Sequence, residues 1–351
     1  MENLCGIKTE INNIYNMIIE SNTTETNCNK LNKEENYILS NKSKKSKEAK
    51  KKKKPEKQVT HVDYLDFENS RLILSYGPQI YDYSRKIEAD TFELKDSEVK
   101  FLEILKNHEI SPSVRTKLVD WLFEVFFAYK CDENTIYLTF YIMDSFLYKT
   151  KNKHSNSDAH LLGIASLSIA SKFEDLLPID LNTLKTRIAH GKFKSKEIKK
   201  KERQILETLD YKIIFASPYD FIRNFIYDFK FNNKKVISKL KFKNEIEILE
   251  LTAIYISKIV LHTDIFSGLK NSIKAIACII LAFDLARTSV PSFKGDLENF
   301  MNEWIKFLVE QSRYEPDHIF QVYNKIKEYF EGFDKTPMIE HNLKKNLDLP
   351  F

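Results

Sequence analysis

Lys172, Glu174 and Asp175 stand together at the end of LLGIASLSIASKFED, Leu161 to Asp175, after eleven residues without a charge. Paired carboxylates such as Glu174-Asp175 are common at helix ends and carry no catalytic weight alone, so the charged end of this apolar run needs another explanation. No catalytic constellation occurs in the chain. No GxG occurs, which removes the dinucleotide fingerprint, the P-loop and the kinase glycine loop together. GxSxG, HExxH and metal-spaced Cys/His sets are absent as well, so neither a metal nor a cofactor is expected. The eight histidines are scattered, and the four cysteines, at 5, 28, 131 and 278, form no CxxC pair. Cysteines spread this widely predict free thiols in a reducing compartment. The chemistry expected is recognition, and the chain reads as a binding module, not an enzyme.

Those charges need elements to hold them. Six of the eleven uncharged residues are small: Gly163, Ala165, Ser166, Ser168, Ala170 and Ser171. A helix apolar on all sides is buried on all sides, and small side chains let neighbouring axes approach to about 8 Å. The stretch therefore predicts a central helix packed around by others. From about Gln79 onward the periodicity is helical, strand alternation is nearly absent, and the whole chain has seven glycines. Ser111-Pro112 and Ser217-Pro218 offer an N-cap followed by proline at the first helical position. Asp132, Asp180, Ser195 and Asp317 mark further starts. GIASLSIA (163–170) aligns with AIACIILA (275–282) at an offset of 112, and the two Ser-Pro starts lie 106 apart. Two similar offsets predict a helical unit of about a hundred residues present twice.

The chain has 351 residues, 42% hydrophobic and 13% aromatic, enough for two domains with real cores. The first residues lack a secretory pattern, and the longest apolar run, Ala275 to Phe283, is too short to span a bilayer. The net charge of +5 is a local property. Lys42 to Lys57 holds ten Lys against two Glu, or +8, so everything else sums to −3. That balance gives no reason to expect nucleic acid on the folded part. Residues 20 to 60, polar and almost free of aromatics, are expected to be disordered. Their five consecutive lysines beside Pro55 read as a nuclear localisation signal, hence an expected location in nucleus and cytoplasm. Ile11, Ile14 and Ile18 make only a weak apolar stripe.

Four pieces in order carry a resemblance: VRTKLVDWLFEV (114–125), TIYLTFYIMDSFL (135–147), LLGIASLSIASKFED (161–175) and KKERQILETLDYKI (200–213). Together they resemble the cyclin box, and the two-fold repeat resembles two cyclin folds in tandem. GPQIYDYSRKIEADTF (77–92) is similar to the helix preceding the box in mitotic A/B-type cyclins. The fold expected is all-α: two tandem five-helix cyclin folds, an N-terminal helix and a disordered basic tail. The bounds are 1–76 for the N-terminal region, 77–215 for the helix plus first box, 216–335 for the second fold and 336–351 for a C-terminal tail.

The resemblance implies a regulatory subunit that binds and activates a cyclin-dependent kinase. The family's five characteristic box positions fall on Arg115, Leu118, Asp144, Lys172 and Glu202. In the family Arg115 and Asp144 pair internally, while Lys172 and Glu202 together hold the backbone of the kinase C-helix. Ile169, Phe173, Leu206, Tyr211 and Ile213 are then expected to supply an apolar pocket around that pair. Leu118, Trp121 and Glu124 map to the groove that in A-type cyclins docks substrates and inhibitors bearing a basic-x-Leu motif. Here Val114 replaces Met and Lys117 occupies an apolar position, which would repel a basic peptide. Arg71 and Leu74 match a destruction-box core, with Gln79 where Asn is usual, and Lys33 to Asn36 misses a KEN sequence by one Glu; chance matches are favoured for both.

Two rivals stay open. One keeps the fold and changes the partner to a transcription-associated kinase. The other is a TFIIB-type, DNA-binding transcription factor, which shares the tandem fold. The −3 balance and the presence of both Lys172 and Glu202 disfavour it.

Overall fold

Ser111 and Ser217 cap as their positions suggest: the first accepts the backbone N–H of Val114 at 3.3 Å, the second that of Asp220 at 3.0 Å. The computed structural model describes residues 79–90, 101–233, 237, 243–289, 295–335 and 342–345. The basic run 42–57, the stripe at 11–18 and the degradation-motif matches before residue 79 lie outside them. Among the described residues the regular structure is helical. In chain order the helices are α1 (79–90), α2 (Phe101–Asn107), α3 (Pro112–Tyr129), α4 (Glu133–Lys149), α5 (Asn156–Glu174) and α6 (Leu181–Thr183), the last continued by a π turn over Leu184–Ile188. There follow α7 (Ser195–Thr208), α8 (Pro218–Asn232), α9 (Lys243–Val260), α10 (Asn271–Ser289), α11 (Asp296–Gln311), α12 (Pro316–Gly332) and α13 (Asn342–Lys345). No described helix is long and apolar enough to cross a membrane.

The small-residue helices are the two hubs. α5 packs against α3, α4, α7 and the π turn, and α10 against α8, α9, α11 and α12. Each hub is 19 residues long. Two five-helix units follow, each opened by a Ser-Pro cap and built around an axis that its neighbours can approach closely. Gly163 shows why: a Cβ there would lie 3.0 Å from Cδ1 of Leu118 on α3. Gly163→Val should therefore lower unfolding stability by about 1–3 kcal/mol through overpacking. Leu118→Ala in the same chain should recover part of that loss in a thermal melt, because it removes the atoms that collide.

Three features depart from the sequence partition. α1, grouped with the first box, docks on the second unit. Tyr81 packs against the rings of Phe221 and Phe225, and Glu88 accepts from Ser272 N at 2.7 Å and Ser272 Oγ at 2.8 Å. Arg85 bonds Ser272 and Tyr314 in the same cluster. Residues expected to form only a tail instead include α13, which packs on α3: Asn342 N donates to Asp120 Oδ1 at 2.9 Å. Capping near Ser195 and Asp317 is shifted: Lys194 and Glu315 hold the N-cap positions, and Glu197 Oε2 accepts from Lys194 N at 2.7 Å.

The units are joined by polar contacts at the C-terminal end of α9. Thr116 Oγ1 donates to His262 O at 3.1 Å, Lys258 pairs with Glu133 at 2.7 Å, and Tyr137 Oη meets Ser257 Oγ at 2.5 Å.

Candidate functional site

Lys172 lies in the last turn of α5, where the helix dipole favours a cation, and Glu202 lies on α7, packed alongside. Lys172 Nζ donates to Glu202 Oε1 at 2.6 Å. The ammonium side is half exposed and the carboxylate side nearly buried, at 52% and 12%. The pair thus forms a charged rim with its acid end seated in the protein.

The rest of the charged cluster anchors local structure. Asp175 Oδ1 accepts from Asp132 N and from Thr135 Oγ1, both at 2.7 Å, fastening the end of α5 to the start of α4. Ser171 Oγ accepts from Ile179 N at 2.9 Å, pinning the far end of the loop after α5. Burial, reinforced by Asp220, Asp132 and Asp175, raises the carboxyl of Glu174 above its ordinary range.

Beside Lys172 in the chain, and in the segments that follow α5 and α7, large apolar side chains are exposed. Phe173 is 51% exposed, Leu176 95%, Leu177 85%, Tyr211 66% and Ile214 56%. Leu176 and Leu177 stand on the loop that Asp175 and Ser171 pin at its two ends. Asp210 and Tyr211 both have left-handed backbone, with φ of 50° and 58°. Tyr211 N closes back onto Leu206 O at 2.9 Å, as at a helix C-terminal cap. That turn presents the Tyr211 ring to solvent. Large apolar side chains exposed at the ends of the two helices that carry one ion pair mark a candidate interaction surface.

Of the expected pocket residues, Phe173 and Tyr211 are on the surface and Leu206 is half-buried. Ile169 and Ile213, at 6% and 8% exposure, pack into the core. Core periodicity claims both, so they support the site from below. Leu176, Leu177 and Ile214 were missed because they follow no helical period. The signal available was the Leu-Leu-Pro sequence directly after a helix end, an apolar pair where a loop ordinarily turns polar.

The expected internal pair is present. Arg115 Nη2 donates to Asp144 Oδ2 at 2.7 Å and Nε to Oδ1 at 3.2 Å. Arg115 Nη1 also donates to Leu261 O at 3.1 Å. In the docking region Glu124 and Lys117 are exposed and Trp121 is half-buried, edge-on to His160 with centroids 4.8 Å apart. Leu118 is buried against Gly163 and offers little surface. Burial pushes the thiols of Cys131 and Cys278 up to about 12. No His/Cys/Asp/Glu group among the described residues could hold a metal ion.

Known proteins are similar to part of this sequence. The chain is 28% identical over 163 residues to G2/mitotic-specific cyclin-2 of Antirrhinum majus, covering 46% of this chain and 34% of that protein. It is 31% identical over 158 residues to S-phase entry cyclin-5 of Saccharomyces cerevisiae, covering 44% and 34%. It is 29% identical over 184 residues to putative cyclin-A3-1 of Arabidopsis thaliana, covering 51% and 49%. The matched segment thus spans half or less of each relative's length. A viral cyclin from herpesvirus saimiri, known from its X-ray structure, aligns at a TM-score of 0.47 and 17% identity, covering 69% of this chain and 99% of its own. Residues 79–214, which contain α1, the first five-helix unit and the Lys172–Glu202 pair, match the family described as "Cyclin, N-terminal domain".

Proposed function

We propose that this chain is the regulatory subunit of a cyclin-dependent serine/threonine kinase acting in cell-cycle control. The observation that carries the reading is the Lys172–Glu202 bridge at 2.6 Å within an open apolar surface that includes Phe173, Leu176, Leu177, Tyr211 and Ile214. A bridge with free valences can bond a partner's backbone while the apolar ring excludes water from it.

Phosphoryl transfer in protein kinases requires the ion pair between the third-strand lysine and the C-helix glutamate, together with an ordered activation loop. A partner that binds only the arrangement meeting those conditions shifts the population toward it by its differential affinity. This chain contributes no group to the chemical step. It holds the C-helix in the active position through the bridge and the apolar surface. The printed names of two relatives, G2/mitotic-specific cyclin-2 and S-phase entry cyclin-5, favour cell-cycle control over a transcription-associated role. We place the chain in nucleus and cytoplasm, with the Lys42 to Lys57 run as the import signal.

The test is purification of the tagged full chain from cells under mild conditions. A cyclin-dependent kinase subunit should co-elute in stoichiometric amount, and the eluate should phosphorylate histone. Absence of any such subunit in the eluate refutes the reading.

A further inference from the structure

A cavity of about 90 Å³ lies where α1, α3, α4 and α10 meet the segments that precede α8 and α10. It sits between the two five-helix units. Neither Lys172, Glu202 nor the exposed apolar residues of the candidate site line it, and Lys117, Trp121 and Glu124 are absent from its wall as well. Much of that wall is aromatic: Phe140, Tyr141, Phe215 and Phe266 face the cavity, with Tyr141 and Phe215 stacked at 4.4 Å. At about 10–15 Å³ per water-sized occupant the space takes about six to nine such atoms, the size of a small organic molecule.

The charges around it are unequal. Arg115, Lys270 and Lys274 stand against Glu88 and Asp144, a balance of +1. Both carboxylates are already engaged. Arg115 bonds both oxygens of Asp144, and Glu88 accepts from Ser272 N, from Ser272 Oγ and from Arg85. Lys274 differs from them. It is enclosed by protein in the opening turn of α10, and among the described residues its ammonium makes no hydrogen bond and no ion pair. Burial pushes it down to about 8, and the pull of Glu88 does not offset that. A desolvated ammonium without a partner is costly, and the cavity is the space from which a partner can reach it.

We infer that this cavity is a binding site for a small monocarboxylate with an apolar body, its carboxylate on Lys274 and its body against the aromatic wall. Charge selects the head: one negative charge neutralises the balance of +1, whereas a dianion is repelled by Glu88 and Asp144. The rings select the body, since a pocket lined by apolar groups with one free polar group orients an amphiphilic ligand. Volume selects a free small molecule over the carboxyl end of a peptide. A molecule seated there touches both units and α1, so occupancy also strengthens their contact. The inference does not rest on the kinase reading.

The experiment is calorimetric titration of the full chain at neutral pH with benzoate, acetate, benzamide, inorganic phosphate and N-acetylphenylalanine. Benzoate should bind with a Kd of about 1 mM or tighter. Acetate lacks the body, benzamide the charge, and phosphate both the body and the single charge, so each should bind about tenfold more weakly or not at all. N-acetylphenylalanine carries the same head and a ring on a larger, peptide-like frame and should also bind more weakly. Lys274→Met keeps the stem and removes the charge. It should weaken benzoate about tenfold or more and abolish the rise in melting temperature that benzoate gives the native chain. Kinase co-elution should persist in that variant, so failure here is distinguishable from failure of the proposed function. Should Lys274→Met not fold, Phe215→Leu trims the wall and leaves the charge, and it should cut the preference for benzoate over acetate to about threefold or less. Absence of benzoate binding, equal binding of benzamide, tighter binding of phosphate or N-acetylphenylalanine, or an unchanged benzoate affinity in Lys274→Met overturns the proposal.

Discussion

Arg115→Ala is expected to lower the unfolding free energy by about 3–5 kcal/mol, the range for breaking a buried charge pair from one side. Arg115 is 3% exposed and Asp144 8%, so truncation leaves a carboxylate inside the protein with neither of its two guanidinium bonds. The same change orphans the Leu261 carbonyl, which accepts Arg115 Nη1 at 3.1 Å, at a further cost of about 1–3 kcal/mol if water cannot replace the donor. It also removes the guanidinium that lies 5.5 Å from the centroid of the Phe101 ring. One side chain thus ties together α2, α3, α4 and the segment after α9. Chemical denaturation monitored by circular dichroism checks the magnitude. Because Arg115 reaches from the first unit to the second, the transition should also broaden or split as the units uncouple. Arg115→Met with Asp144→Leu should cost less than Arg115→Ala alone, since neither half of the pair is left buried without the other. A single-residue loss under 1 kcal/mol would show that the pair is solvated and that the units are held by other contacts.

How far the architecture could be read in advance differs from part to part. The two hubs were legible because packing density leaves a compositional trace: Gly163, Ala165, Ser168 and Ala170 are tolerated only where neighbours come close. Ser-Pro starts were legible because a cap is a local event, complete within one helical turn. The helix pair Lys172 and Glu202 was legible from the family pattern, thirty residues apart in sequence and 2.6 Å apart in space. What the residues alone do not carry is long-range and polar. Nothing near Asn342 announces that its N–H donates to Asp120, 222 positions earlier. α1 docks on the second unit through Tyr81, Arg85 and Glu88, an arrangement no local periodicity encodes. Ile169 and Ile213 satisfy both a core and a surface reading of helical spacing, and only three-dimensional packing chooses the core. The exposed Leu176 and Leu177 run the other way, apolar residues whose exposure is decided by a loop that Ser171 and Asp175 pin in place.

That loop leads to the second large effect. Lys172→Ala with Glu202→Ala should weaken association with the kinase subunit by about 30-fold or more, the equivalent of about 2–5 kcal/mol for truncating a hydrogen-bonded charge pair desolvated at an interface. In the free chain the same double change should be nearly silent. Lys172 faces water, and an ion pair open on one side contributes about 0–1 kcal/mol to folding. The contrast between the two readouts is what separates a recognition role from a structural one: helical circular dichroism and melting temperature stay, and kinase co-elution goes. Single variants sharpen the argument. Glu202→Ala leaves an ammonium at the interface and Lys172→Ala leaves a carboxylate whose side chain is 12% exposed, so each should cost about as much as the pair together, a non-additivity expected of groups acting as one unit. Reversing the pair, Lys172→Glu with Glu202→Lys, preserves the attraction but inverts the polarity offered to a partner's backbone. It should keep the fold and fail to bind. The exposed apolar residues should behave as hot spots do, with Phe173→Ala and Tyr211→Ala each costing about 2 kcal/mol and Leu122→Ala, on the buried face of α3, acting on stability instead. Normal kinase activation by the Lys172→Ala/Glu202→Ala chain would remove the bridge from the binding site, and the exposed ring of Phe173, Leu176, Leu177, Tyr211 and Ile214 would then need a different partner.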